Sequence, residues 1–303
     1  MEKLKTQKHL YYSLEVIKNM ILDAPFSEPY SESVFLLIEH EMHSTNLLLC
    51  LIQNFDKMDF QGKKCAVQIF NSMLLRSIGV PSETVKYICR NPEILLKLMT
   101  GYENKQNVHD YHSMLSECTR HQPLAKIMLH SEAFFNLFHY VEVLKDDVWF
   151  APFSVLKLLL TGHKRLCAKF LEQNYDKVFT HYQLLLSSTN YMLRRESVAL
   201  LSTLLADQHN VTIMKKYVSD PDKLKLIVNM VGEIRCVPYK VFDVLKLFVA
   251  NRDKPRPILD ILLNNRERLA KYVLNAPNDC PEDGQFMDDK FELFYTLQQL
   301  KSD

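Results

Sequence analysis

The segment STNYMLRRESVALLSTLLADQHN, Ser188–Asn210, has the apolar periodicity of one face of an α-helix. Its apolar residues recur three or four positions apart, the spacing at which side chains share a helix face. Val198, Leu201 and Leu205 share this face, and Leu204 lies beside them. Thr189 or Asn190 precedes the first turn, where either side chain can satisfy a free backbone amide as the N-cap. The segment therefore predicts a capped, amphipathic helix.

Segments of this kind recur along the chain at a nearly constant interval. Aligned by their ends, four of them finish at His121, His163, His209 and Arg252, with steps of 42, 46 and 43 residues, and an earlier one ends near Arg76. A period in the forties is typical of armadillo and HEAT proteins, whose units stack because one unit cannot bury its apolar face alone. The predicted fold is all-α: an armadillo/HEAT-like, right-handed α-solenoid of about six helical repeats with a concave binding surface.

We expect these repeats to form a single domain over residues 1–303. The stretch NAPNDCPEDGQFMDD, Asn275–Asp289, is polar and acidic, and predicts a loop before a last helix around Lys290–Lys301. The segment MEKLKTQKHLYYSLEVIKNM is basic but lacks the unbroken apolar run of a signal peptide. No run of about 18 apolar residues occurs, so no membrane span is expected.

The composition argues against several classes of function. The six glycines are never clustered, whereas phosphate-binding loops need close glycines so that backbone amides can approach the phosphates. Lys+Arg and Asp+Glu number 37 and 36, and a net charge of +1 gives no overall attraction to nucleic acid. Seven scattered cysteines indicate buried, reduced thiols rather than a disulfide framework. We therefore expect a cytoplasmic or nucleocytoplasmic protein without a nucleotide cofactor.

Candidate catalytic and metal sites are weak. His40–His43, HEMH, places its histidines three apart, whereas the zinc-protease motif needs a spacing of four, so we interpret these as surface residues of an early helix. The pairs His109 with His112 and Cys118 with His121 lack further ligands, and the recurring histidines are interpreted as repeat-end residues. The acidic tail lacks the ligand spacing of an EF-hand. We therefore predict no metal, no cofactor and no enzymatic activity.

A stripe of residues beside the apolar face of the predicted Ser188–Asn210 helix has two possible interpretations. Arg195, Ala199, Ser202 and Ala206 share this stripe. The small residues either let a neighbouring helix approach or form a groove floor with arginine at its rim. Arginine suits a carboxylate because its planar fork makes two parallel hydrogen bonds.

Several segments resemble the calcium-binding protein 39 family, also called mouse protein 25-like proteins. The resemblance runs from about Asp59 to Leu300 and is weaker before Asp59. On this basis we divide the predicted domain into three parts. These are divergent N-terminal repeats (1–58), the repeats that match best (59–274), and an acidic loop with a C-terminal helix (275–303). The family's basic, proline-containing N-terminal extension is expected to be absent. The resembling segments include DFQGKKCAVQIFNSMLLRSIG, RHQPLAKIMLHSEAFF, NYMLRRESVALL, DQHNVTIMKKYVSDPDKLKLIVNMV and FVANRDKPRPILDILLNNRERL.

The resemblance implies a noncatalytic scaffold that binds and allosterically activates a protein kinase or pseudokinase of the sterile-twenty type. It implies two surfaces: a concave face that holds the kinase lobe, and a pocket for a C-terminal Trp-Glu-Phe-like, acidic-aromatic peptide. The pocket's tyrosine and arginine fall on Tyr191 and Arg195, which are retained.

The other positions carried over by the resemblance are altered. In the pocket, a lysine is replaced by Ala199 and a methionine by Val228, and an aromatic residue falls near Asp146. On the kinase-facing surface, an arginine and a phenylalanine become Gln208 and Val211. We therefore keep an alternative, an armadillo-like adaptor for a partner that is not a kinase.

Overall fold

The structure is a computed structural model that describes residues 2–22, 29–75, 83–144, 146–231, 238–275 and 284–301. Within these ranges the secondary structure is helical, without a strand, which confirms the predicted all-α fold. No helix in the described part of the chain is both long and apolar enough to cross a membrane. The contacts divide the chain into two compact units, Met1–Cys167 and Ala168–Asp303.

The described residues of the first unit form ten α-helices and the start of an eleventh. They are α1 Glu2–Leu22, α2 Pro29–Ser44, α3 Leu47–Gln53, α4 Phe60–Leu75, α5 Glu83–Arg90, α6 Glu93–Thr100, α7 Val108–Thr119, α8 Gln122–Leu129, α9 Ala133–Val143, α10 Phe150–Thr161 and α11 Lys164–Gln173. Short 3-10 helices join some of them, at Phe55–Lys57, Gly101–Glu103, Lys105–Asn107 and Asp146–Trp149.

In the second unit, the part of the chain that the structure describes forms the end of α11 and eight further α-helices. They are α12 Tyr175–Leu186, α13 Tyr191–Ala206, α14 Val211–Val218, α15 Pro221–Val231, α16 Pro238–Ala250, α17 Arg256–Asn264, α18 Arg266–Asn275 and α19 Gly284–Gln299. Proline begins α15 and α16, where its missing N–H is not needed for a helical hydrogen bond.

The helices pack with a period of three, which is the structural form of the sequence repeat. In the first unit α1, α4, α7 and α10 pack in succession, and so do α3, α6 and α9. In the second unit α13 packs against α16, and α16 against α19. The helices α7, α10, α13 and α16 end just before His121, His163, His209 and Arg252, so the predicted repeat ends are confirmed.

The repeat-end histidines have structural contacts. His163 Nε2 lies 2.9 Å from the carbonyl oxygen of Thr119, the last residue of α7, and so connects the ends of two successive repeats. His209 Nδ1 lies 2.9 Å from Asp207 Oδ1. Their interpretation as repeat-end residues agrees with these contacts.

The last helix begins earlier than the sequence predicts. It starts at Gly284 rather than near Lys290, so Gly284–Asp289 is helical and not part of a loop. Phe286 explains the difference, because its side chain is buried and its ring centroid lies 5.2 Å from that of Phe242 on α16. In the sequence, Phe286 is surrounded by acidic residues, and a stretch rich in acidic residues predicts a loop. Burial of this single apolar side chain nevertheless extends the helix to Gly284.

The cysteines differ from one another in burial. Cys65, Cys118 and Cys167 are buried, and burial raises the pKa of the Cys118 thiol, so it stays protonated. Cys50 is exposed, which contradicts the expectation for that position. It lies on α3, where other residues supply the buried face: Leu48, Leu51 and Ile52. Cys236 and Cys280 lie outside the described residues.

Candidate functional site

The first turn of α13 fixes the positions of the retained tyrosine and arginine. Asn190 is the N-cap: its Oδ1 accepts hydrogen bonds from the backbone amides of Met192 at 3.0 Å and Leu193 at 3.2 Å. Of the two predicted caps, Asn190 therefore fills the role. Tyr191 is the first helical residue, and Arg195 follows four residues later on the same side of the helix.

Buried contacts hold α13 against its neighbours. The Tyr182 hydroxyl on α12 donates a 2.7 Å hydrogen bond to the carbonyl oxygen of Ser197, and both residues are buried. The apolar face is buried as predicted, with Leu201 completely inaccessible. A surface on a helix anchored in this way is rigid, so ligand binding costs little ordering entropy of the protein.

The two adjacent arginines differ in exposure. Arg195 is exposed to solvent, together with Tyr191, whose side chain is 38% accessible. Arg194 is half-buried. Of the two, Arg195 thus offers its guanidinium group more fully to an external ligand.

The stripe of small residues divides into two parts. Ser202 is buried, and its hydroxyl donates a 3.1 Å hydrogen bond to Asp243 Oδ2 on α16. Ala199 is half-buried between Ser202 and the exposed Arg195. Ser202 therefore serves the approach of α16, whereas Arg195 and Ala206, at the two ends of the stripe, are exposed.

Gln208 and Val211 lie on the surface directly after α13. Gln208 begins a 3-10 helix whose N-cap is Asp207, and Asp207 Oδ1 accepts a 2.9 Å hydrogen bond from the amide of His209. The buried Asn210 donates a 2.9 Å hydrogen bond to the carbonyl oxygen of Leu204, in the last turn of α13. These bonds fix the turn, which leaves Gln208 and Val211 exposed.

The remaining two positions are placed differently. Val228 lies on α15 with only 3% of its surface accessible, so it belongs to the core of the second unit. Asp146 begins a 3-10 helix in the first unit, and its side chain lies outside the described residues. The structure thus brings Tyr191 and Arg195 together on one exposed face of α13, whereas Val228 is buried in the core of the second unit.

Met192 was not singled out from the sequence. It is exposed and lies three residues before Arg195, so the two side chains are neighbours on the helix surface. Helical spacing alone predicts that Met192 is exposed, because it does not lie on the apolar face formed by Val198 and Leu201. It adds apolar surface beside the tyrosine and arginine.

His40 and His43 of the HEMH segment line a separate pocket with a volume of about 360 Å³ on the first unit. His43 is half-buried and stacks on Tyr87 at 4.5 Å between ring centroids, and burial lowers its pKa. The neighbouring buried Glu39 accepts hydrogen bonds from the amide of Thr84 at 3.0 Å and from its hydroxyl at 2.5 Å.

The interpretation of HEMH as surface residues is therefore correct for the exposed His40 and Glu41, correct in part for the half-buried His43, and wrong for the buried Met42. The segment faces α5, because α2 and α5 are equivalent helices of successive repeats and pack together. Within the described ranges no group of three or more histidine, cysteine or acidic side chains is arranged to hold a metal ion.

Comparison with known proteins shows extensive similarity. The family model described as Mo25-like matches residues 1–301, which includes the part before Asp59. Calcium-binding protein 39-like from Mus musculus is 41% identical over 298 residues, covering 98% of this chain and 88% of that protein, and the Homo sapiens protein gives the same values. MO25-like protein 2 from Caenorhabditis elegans is 40% identical, covering 95% of this chain and 85% of its own length.

Proposed function

The chain belongs to the Mo25-like family, and on this premise we propose that it is a noncatalytic scaffold that binds a protein kinase or pseudokinase of the sterile-twenty type. Two surfaces of the second unit serve this function. The Tyr191–Arg195 face binds an acidic-aromatic C-terminal peptide, and the surface with Gln208 and Val211 contacts the kinase lobe. The predicted cytoplasmic location and the single-domain organisation remain part of this proposal.

The observation that carries the proposal is the exposed pair Tyr191 and Arg195 on the capped first turns of α13. The guanidinium group of Arg195 is suited to a bidentate hydrogen bond with a carboxylate. The ring of Tyr191 and the side chain of Met192 offer apolar surface for an aromatic residue. A peptide that ends in Trp-Glu-Phe supplies both carboxylates and aromatic rings.

Replacement of the family's lysine by Ala199 predicts weaker peptide binding than in relatives with that lysine. Ala199 lies one turn after Arg195 and is half-buried, so the lost lysine removes a second cation from the same face. The position stays open enough to accept a longer side chain whose ammonium group reaches solvent.

Activation requires no chemistry from the scaffold. If the Gln208 and Val211 surface contacts only the active form of a kinase lobe, binding increases the population of that form. The shift is limited by the difference in affinity for the two forms. Because the arginine and phenylalanine of the family are absent here, we expect a smaller shift than in relatives that retain them.

Peptide binding can be tested by fluorescence anisotropy with a labelled peptide ending in Trp-Glu-Phe. We expect saturable binding by the wild type, a loss of at least about tenfold in affinity for Arg195→Ala, about 1.4 kcal/mol, and a severalfold gain for Ala199→Lys. Arg252→Ala removes another exposed arginine of the same unit and serves as the matched control. A wild type and an Ala199→Lys variant that both fail to bind, with unchanged circular dichroism, would contradict the peptide site.

The altered kinase-facing positions give the alternative its support. Gln208 and Val211 are exposed yet lack the side chains that the family resemblance assigns to kinase contact. An armadillo-like adaptor for a non-kinase partner remains the second candidate. Affinity purification of wild type beside Gln208→Arg/Val211→Phe discriminates: a kinase that is captured only by the double variant favours the alternative.

A further inference from the structure

The start of α4 in the first unit repeats the local sequence pattern of the start of α13. Residues 59–64 read DFQGKK, and residues 190–195 read NYMLRR. Each segment begins with an aspartate or asparagine, continues with an aromatic residue, and ends in two basic residues. In chain order α13 follows α4 by nine helices, which is three steps of the three-helix repeat, so the two segments occupy the same place in the repeat.

The two helices also begin with the same hydrogen bonds. Asp59 Oδ1 accepts a 2.8 Å hydrogen bond from the amide of Gly62, as Asn190 Oδ1 does from the amide of Leu193 at 3.2 Å. The carbonyl oxygens of Asp59 and Asn190 each accept a hydrogen bond of 3.0 Å from the amide four residues later. Both helices are 16 residues long. The backbone therefore places the following aromatic and basic residues equivalently on the two helices.

Exposure of the side chains follows the same order on both helices. In each basic pair the first residue is half-buried and the second, Lys64 or Arg195, is exposed. Phe60 is 66% accessible, which is more than the 38% of Tyr191. Each helix thus presents an exposed aromatic ring and an exposed cation four residues apart on one side. We call the first of these surfaces the Phe60–Lys64 face.

The pattern is not a requirement of the repeat, because the equivalent helices lack it. α7 begins at Val108 and has the half-buried His112 four residues later. α10 begins at the exposed Phe150 but has Ser154 at the position of the cation. α16 begins with a proline. An exposed aromatic residue paired with an exposed lysine or arginine on α4 and α13 is therefore not explained by helix packing.

The groups around the Phe60–Lys64 face favour a ligand that carries a negative charge close to an aromatic ring. Lys64 Nζ lies 4.3 Å from the centroid of the Phe60 ring, so the cation and the ring form one surface. The exposed His109 lies at the start of α7, which packs against α4. Two carboxylates lie near this face, Asp59 directly before Phe60 and Asp110 on α7. Desolvation raises the pKa of Asp110, and the charges of Lys63, His109 and Lys64 act against that rise.

From this shared local structure, we infer that the Phe60–Lys64 face is a second binding site, in the first unit, for an acidic-aromatic peptide segment. The ligand's carboxylate pairs with Lys64, and its aromatic ring packs against Phe60. The ligand class rests on the proposed function of the Tyr191–Arg195 face. Because lysine is a point charge without the planar fork of arginine, this second site binds less tightly and demands less precise geometry.

Isothermal titration calorimetry with an unlabelled peptide ending in Trp-Glu-Phe tests the inference on the full chain. The wild type should bind two equivalents, the second severalfold more weakly than the first. Lys64→Glu and Phe60→Ala should each remove the weaker site and leave the tighter one. Arg195→Ala should do the reverse, and Lys64→Glu combined with Arg195→Ala should abolish both.

Two control variants match the two changes on α4. Lys126→Glu reverses an exposed charge on α8, and Phe150→Ala removes the exposed aromatic residue at the start of α10, which is followed four residues later by Ser154 instead of a cation. Both should bind like the wild type. Circular dichroism should stay unchanged for all these variants, because the altered side chains are exposed.

Two further variants should strengthen the weaker site, so the inference does not depend on loss of binding alone. Phe60→Tyr/Lys64→Arg gives the first unit the same side chains as the Tyr191–Arg195 face and should increase its affinity severalfold. Asp110→Asn removes the competing carboxylate and should act in the same direction.

The outcomes separate this inference from the proposed function. One equivalent that is lost with Arg195→Ala, and unchanged by every variant of α4, overturns the second site and leaves the first in place. One equivalent that is lost with Lys64→Glu and unchanged by Arg195→Ala supports the Phe60–Lys64 face and contradicts the site on α13. No binding by the wild type or by Phe60→Tyr/Lys64→Arg overturns the inferred site.

Discussion

The hydroxyl of Tyr111 lies 2.9 Å from Asp56 Oδ1 and donates a hydrogen bond to it across one repeat of the first unit. Asp56 also accepts hydrogen bonds from Lys97 at 2.7 Å, Asn104 at 3.0 Å and Asn107 at 2.8 Å. One carboxylate between α3 and α4 thus collects donors from the next repeat. The repeats are joined by polar contacts as well as by apolar stacking.

Asp56→Asn should destabilise the protein by about 1–3 kcal/mol, because buried donors such as Tyr111 lose a charged acceptor. Desolvation raises the pKa of Asp56, but the hydrogen bonds from Lys97, Tyr111, Asn107 and Asn104 together lower it to about 2. The folded-state pKa is therefore depressed, and the stabilisation is present above about pH 4 and is lost as the pH falls towards about 2.

Urea unfolding of the wild type and Asp56→Asn at a series of pH values measures this effect. The difference in unfolding free energy should shrink as the pH falls from about 4 towards about 2. Asp176→Asn, at a side chain that is 88% accessible, is the control and should change stability little. A difference that stays constant over this pH range would contradict the assigned role.

Gly101→Ala should destabilise the first unit. A Cβ atom at Gly101 would come within 2.4 Å of the Tyr111 ring, closer than side chains tolerate. Because Tyr111 is completely buried and its hydroxyl is bonded to Asp56, the ring has no easy way to move. We expect a loss of about 1–3 kcal/mol in chemical denaturation.

Tyr111→Leu provides the control for this clash. The smaller side chain makes room for the added methyl group, so the double variant Gly101→Ala/Tyr111→Leu should lose less stability than the two single variants together. Additive losses would refute this account.

Asn190→Ala should cost about 0.5–2 kcal/mol, because Met192 and Leu193 lose their N-cap acceptor. The first turn of α13 carries Tyr191, so loosening it should also weaken peptide binding. Thr189→Ala is the matched control at the neighbouring position and should change neither property. Thermal unfolding and anisotropy measure both effects, and equal effects of the two variants would mean that the cap is misassigned.

Leu201→Ala and Arg195→Ala should have opposite consequences. Leu201 has no accessible surface, so its truncation should destabilise the protein by roughly 2–5 kcal/mol. Arg195 is exposed, so its removal should leave stability nearly unchanged while removing the tighter peptide binding. Denaturation and calorimetric titration of both variants check the pair, and exchanged outcomes would mean that the helix faces are assigned in reverse.

Much of the candidate site follows from local sequence. The spacing of Val198, Leu201 and Leu205 sets which face of α13 is buried, and Asn190 sets where the helix begins, because both depend on neighbouring residues alone. The same periodicity places Arg195 beside the buried face but does not decide whether its side chain is exposed. The depth of Val228 could not be predicted in this way, since burial of one residue in α15 depends on helices distant in sequence.

The sequence alone determined that this protein is a series of helical repeats, because apolar periodicity and repeat length act through short-range packing. Only the tertiary structure decided that Arg194 is half-buried beside the exposed Arg195, that Ser202 bonds Asp243, and that Asp56 gathers four donors. Likewise, only the tertiary structure showed that α4 and α13 both begin with an exposed aromatic residue followed by an exposed basic residue. Periodicity states which residues share a helix face, but packing between repeats decides which faces remain uncovered.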